Sequence, residues 1–164
     1  MNQATPLIPP TFLFRFSVPL KHLDASWEQL QPAALDKKFL LPSFGELEDR
    51  PVFANVYGAW NEDGLYFQVH VRGKRQMPWC RVTRGLDSDG LHLCIDTRDT
   101  HTIHRAGRFC HRFVFAPLGN GPQSDAPFAQ MLTVNRAREN PKMVAPDQLH
   151  VRSERRVDGY HLAA

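Results

Sequence analysis

The sequence has little that would anchor it to a membrane or export it. Its N-terminal stretch, MNQATPLIPPTFLFRFSVPL, lacks a basic leader region, and Pro9, Pro10, Arg15 and Pro19 interrupt its apolar run. That pattern is neither a signal peptide nor a membrane span, so cytoplasmic residence is expected. Cysteine is scarce as well. Cys80, Cys94 and Cys110 leave one thiol over under any disulfide scheme, which favours reduced thiols. Net charge is only +3, from 20 basic and 17 acidic residues that are interspersed, a field too weak to argue for nucleic acid. Nor is there a nucleophile elbow, a phosphate loop, a Ser-His-Asp signature or a pair of glutamates to suggest catalysis. The chain reads as a non-enzyme.

What is present is an alternation of apolar and polar residues over short runs. With 164 residues, 42% of them hydrophobic, the chain is long enough for one domain with a substantial core spanning residues 1–164. Thirteen prolines and ten glycines scattered between the runs fit a sheet protein with many turns. Strands are expected at Thr11 to Val18, Val52 to Trp60, Leu65 to Lys74, Gly90 to Asp96, Arg108 to Ala116 and Leu149 to Val157. Asn61-Glu62-Asp63-Gly64 supplies hairpin chemistry for the second and third of these, and Asp158-Gly159 starts a last hairpin. The expected fold is all-β: an antiparallel two-sheet β-sandwich, jelly-roll-like, with little helix. Its one helical patch, Ser26 to Leu35, is limited to a turn or two by Pro32.

Period two implies one buried and one wet face. On the third strand Leu65, Phe67, Val69 and Val71 would face inward, with Tyr66, Gln68, His70 and Arg72 outward. The stretch from Pro117 to Pro146 reads as a long surface excursion, with room for one short strand at Ala129 to Asn135. Tyr160, Leu162 and Ala164 begin the return arm of the last hairpin and then the sequence stops. Either further strands follow, or the arm presents an open apolar edge that a second copy completes as a homo-oligomer.

Three segments in order, Trp60-Asn61-Glu62-Asp63-Gly64-Leu65-Tyr66, then Pro78-Trp79, then Asp89-Gly90-Leu91-His92-Leu93-Cys94-Ile95-Asp96, carry a resemblance. Together they resemble the family-nine carbohydrate-binding modules, over roughly Leu47 to Asp99. The resemblance implies a β-sandwich that holds the end of a sugar chain between two tryptophans and carries structural calcium. Trp79 occupies the position of the first sugar-stacking tryptophan, and Trp60 that of a structural one. The second stacking tryptophan has no counterpart before Ala164. His92 stands where the family places a glutamate, so a group that chelates two hydroxyls is replaced by one that accepts one bond and donates another.

The expected ligand-binding residues are therefore Trp79, His92 and Arg112, with a saccharide as partner and neither nucleic acid nor membrane. Trp79 either stacks on a pyranose or folds back as a plug. Asp87, Asp89, Asp96 and Asp99 cluster around one strand and are the candidate calcium ligands, although turn chemistry explains them equally. Two other readings stay open. His101, His104, Cys110 and His111, with the methionines, would serve a metal- or haem-binding sandwich, although adjacent Cys110 and His111 should point to opposite faces. A structural or interaction domain without a small ligand is the other.

Overall fold

The structure is a computed structural model that describes residues 17–43, 45, 50–100 and 103–164. The expected strand at Thr11 to Val18 lies outside these residues except for its last two positions. Eight strands follow: β1 (Lys21–His22), β2 (Ala54–Asn61), β3 (Gly64–Val71), β4 (Leu91–Asp96), β5 (Cys110–Asn120), β6 (Ala126–Leu132), β7 (Arg152–Arg156) and β8 (Gly159–Ala163). They form a five-stranded sheet of order β1-β2-β3-β8-β7 and a three-stranded sheet of order β4-β5-β6. Every pairing is antiparallel except the two-residue pairing of β1 with β2. Among the described residues helix is confined to short 3-10 turns such as Trp27–Gln29, as Pro32 implied. The chain is an all-β sandwich.

The sandwich follows from the inward residues of both sheets. Val69, Val71, Tyr160 and Leu162 of the large sheet pack with Phe115, flanked by Leu91, Leu93 and Phe113. Each side chain buried fully in this way is worth about 1.5–3 kcal/mol relative to exposure. The β2–β3 turn is set by Asn61, whose Oδ1 accepts the amides of Asp63 (2.9 Å) and Gly64 (3.2 Å). Its Nδ2 donates to the Ala25 carbonyl at 3.0 Å, tying the turn to the segment that crosses the sheet.

That crossing segment overturns the expectation of a wet face on β3. Residues 23–41 lie as a strap on the outer face of the large sheet, where Leu30, Leu35 and Phe39 pack on Tyr57, Ala59, Tyr66 and Ala163. Gln68 is consequently 0% exposed and His70 8%. Gln68 Oε1 accepts the Leu35 amide (2.9 Å) and Nε2 donates to the Gln31 carbonyl (2.6 Å), so a polar residue on a buried face fastens the strap. Arg152 adds a second fastening, donating to the carbonyls of Trp27 (2.9 Å) and Leu30 (2.7 Å).

Two further expectations are corrected. The 117–146 excursion is shorter than expected, because β5 continues to Asn120 and turns directly into β6. The last hairpin arm, β8, offers no open edge. It lies inside the large sheet, paired with β3 on one side and β7 on the other, so the route to a homo-oligomer through that edge is closed. The edge strand is instead β7, and its charged sequence Arg152-Ser153-Glu154-Arg155-Arg156 disfavours pairing with another chain. Gly159 permits this arrangement: a Cβ there would strike the Val71 carbonyl, so only glycine lets β8 lie this close to β3. Trp60, expected in the core, is 40% exposed and is held at the rim by a hydrogen bond from Nε1 to the Leu20 carbonyl at 3.1 Å.

Candidate functional site

The loop from β3 to β4 carries Trp79 and is built around Asp89 and Ser88. Asp89 Oδ2 accepts the Trp79 amide (2.6 Å) and pairs with Lys74 Nζ (3.2 Å), and the Asp89 amide donates to the Trp79 carbonyl (2.8 Å). Ser88 is buried. Its hydroxyl accepts the Arg81 amide at 2.9 Å and lies within donating distance of the Arg81 and Arg84 carbonyls. Cys80 anchors the loop from below, packing on Val114, Ala116 and Phe128. Gly119, with φ of +111°, lets the β5 backbone pass against Cys80, where a Cβ would come within 2.8 Å of the Cys80 backbone. Burial pushes the Cys80 thiol up to about 11, so it is a protonated packing group rather than a nucleophile.

On this frame Trp79 is 41% exposed and does not fold back as a plug. The guanidinium carbons of Arg81 and Arg84 lie 5.4 and 5.3 Å from its ring centroid. Arg84 is itself steadied by Asp87, whose Oδ2 it meets at 2.7 Å. Two guanidiniums thus lie over the ring, and that of Arg84 is held in place by Asp87.

His92 and Arg112 share the outer face of the small sheet but are not presented to solvent as Trp79 is. His92 sits opposite Val114 and Arg112 opposite Cys94, which makes the two diagonal neighbours. His92 Nε2 donates to the Ser88 carbonyl at 2.9 Å, which leaves Nδ1 as the bare acceptor, buried and without a hydrogen-bond partner. Arg112 Nε is likewise buried without a partner. The histidine acts as a strut beneath the Trp79 loop.

The four aspartates are dispersed into separate tasks. Asp87 holds Arg84 and Asp89 holds Trp79 and Lys74. Asp96 caps the following turn by accepting the amides of Arg98 (3.0 Å) and Thr100 (2.9 Å), and Asp99 takes the left-handed conformation with φ of 50°. Among the described residues no three His, Cys, Asp or Glu side chains converge to hold a metal ion. Turn chemistry accounts for the acidic cluster that suggested calcium. Cys110 and His111 pair with Asp96 and Ile95 respectively and so point to opposite faces of β5, while His101 lies outside the described residues.

Sequence reasoning missed a crevice beside this loop. It has a volume of about 420 Å³ and is lined by Lys74, Arg75, Arg155, Arg156, Asp125 and Tyr160, among others. The sheet order explains it, because β3 exits beside the β7–β8 turn, where the Lys74 amide donates to the Asp158 carbonyl at 2.9 Å. Two basic dipeptides eighty residues apart are thereby brought together. Their only sequence signal was the late excess of arginine, which reads equally as a solvated face. Burial pushes the Tyr160 phenol up to about 12, so its hydroxyl remains a neutral donor.

An apolar crevice of about 590 Å³ opens between the sheets at the end bearing Trp27, with Phe67, Leu93, Phe113 and Phe115 in its wall. On the strap side, His70 and His161 stack with ring centroids 4.2 Å apart. Both are held below the ordinary imidazole range, His70 by burial and then by the His161 charge, His161 by burial and then by Arg156. No helix among the described residues is long and apolar enough to cross a membrane. No protein-family model, curated protein or solved structure matches this chain.

Proposed function

We propose that this chain is a non-catalytic binding module that contacts a saccharide through Trp79, in keeping with its resemblance to the family-nine carbohydrate-binding modules. One observation carries the reading: a large aromatic ring stands exposed on a loop whose backbone is already fixed by Asp89 and Ser88. A pyranose presents an apolar C–H face and a rim of hydroxyls. An indole carried on a pinned backbone meets the first at reduced cost in conformational freedom, and neighbouring Arg81 and Arg84 offer donors to the second. His92 contributes from underneath by holding the Ser88 carbonyl, and Arg112 lies farther along the same face. Trp79 alone stands in for the two-tryptophan clamp of the resembling family, so weak, one-sided stacking is expected.

A glycan array probed with the wild-type protein and with Trp79→Ala tests this. Binding by the wild type that falls at least tenfold in the variant is the expected result. Equal binding by both proteins, or by neither, overturns it. Circular dichroism of the variant controls for folding, since the loop is fastened through backbone atoms and Ser88 rather than through the indole.

A further inference from the structure

The crevice next to Trp79 carries charge that the fold does not consume. Lys74 is paired with Asp89 and Arg156 with Glu154, at 3.2 and 2.7 Å. The side chains of Arg75 and Arg155 make no hydrogen bond, ion pair or ring contact among the described residues, yet both line the same concave space. The acidic side chain in that wall is Asp125, against these two free guanidiniums. Tyr160 is 6% exposed as a residue, but its hydroxyl is not one of the buried atoms and makes no hydrogen bond among the described residues, so the oxygen is open to the crevice. An unpartnered neutral donor beside unpaired guanidiniums is the arrangement that recognises an anionic oxygen group. Adjacency to the proposed sugar contact is direct, because one Asp89 oxygen holds both Lys74 of the crevice and the Trp79 backbone.

We infer that this crevice receives the anionic substituent of an acidic saccharide, a carboxylate or sulfate ester, held by Arg75, Arg155 and the Tyr160 hydroxyl. The inference rests on the saccharide reading above and names the class of sugar. Neutral chains lack the group that the unpaired cations would hold. Arg75 and Arg155 are exposed, so removing either side chain leaves the core and the Trp79 loop untouched.

Calorimetric titration settles it with four probes: a galacturonate tetrasaccharide, its uncharged methyl ester, a sulfated disaccharide and inorganic sulfate. Wild type, Arg75→Ala, Arg155→Ala and Trp79→Ala are compared. The expected result is binding of an acidic saccharide, loss of about tenfold on esterification, and a decrease of about fivefold in each arginine variant, shrinking as salt rises. Equal affinity for acid and ester that is lost with Trp79→Ala overturns the crevice assignment while leaving the Trp79 reading intact. Acid binding that depends on the arginines but not on Trp79 keeps the crevice and removes the stacking contact. Inorganic sulfate binding as tightly as the acidic saccharides, or no binding of any acidic probe, refutes the inference.

Discussion

Replacing Gln68 with leucine should loosen the strap without altering the sandwich beneath it. The glutamine is fully buried and makes two hydrogen bonds, from the Leu35 amide and to the Gln31 carbonyl. Leucine fills much of the same volume, so the cost lies in the backbone groups left behind. The Leu35 amide belongs to a buried residue and loses about 1–3 kcal/mol when stranded. Gln31 is exposed, so its carbonyl regains water and loses only about 0.5–1 kcal/mol. The sum is about 1.5–4 kcal/mol. With a urea m-value of about 2 kcal/mol per molar, the unfolding midpoint should fall by about 0.8–2 M. Amide exchange should separate strap from sheet: Leu35 and neighbouring strap amides accelerate, while β5 amides keep their relative protection. A midpoint shift below about 0.3 M, or exchange that rises uniformly in both layers, would refute the fastening role of Gln68.

Stability should also fall with acid before the carboxylates titrate. His70 and His161 have depressed values in the folded state, whereas unfolded imidazoles take up protons near pH 6.5. The unfolded chain therefore binds more protons below that pH, so stability is full above about 6.5 and declines as pH falls. Urea midpoints at pH 7.5 and 5.5 measure this, and a slope unchanged in His161→Gln would argue against the pair. Thiol labelling of the native protein should be fast at exposed Cys94 and absent at buried Cys80, and equal rates would contradict the packing of the Trp79 loop. Gly159→Ala should cost about 2–3 kcal/mol because the new Cβ meets the Val71 carbonyl, and an unchanged thermal midpoint would mean that β3 and β8 lie farther apart.

Local chemistry was legible in the sequence where the cause is local. Asn61 with Asp63-Gly64, and Asp158-Gly159, announced their turns, and the inward residues of β3, β4 and β5 follow the period of two. Failures arose wherever a distant segment supplies a neighbour. Gln68 and His70 read as solvent-facing because nothing in β3 reveals that residues 23–41 cross over it. The apolar Leu30, Leu35 and Phe39 within that segment were the available hint. β8 read as an open edge because the order β3-β8-β7 places a strand from the end of the chain in the middle of a sheet. The basic crevice was hidden for the same reason: Lys74-Arg75 and Arg155-Arg156 become neighbours only through that order. His92 stood out in the sequence by its position, but its bond to Ser88 belongs to the tertiary fold of the loop.

The saccharide reading is tested most directly by following the three indole N–H signals of Trp27, Trp60 and Trp79 by NMR during titration with the galacturonate tetrasaccharide and with the glycans that score on the array. Trp60 is an internal control because its Nε1 is occupied by the Leu20 carbonyl, and Trp27 is another because it stacks on His150 at 5.4 Å, at the other crevice. The account predicts that the Trp79 signal moves in a saturable way while those of Trp60 and Trp27 stay in place. A titration in which Trp79 is unmoved by every saccharide, or in which Trp27 alone responds, would contradict it.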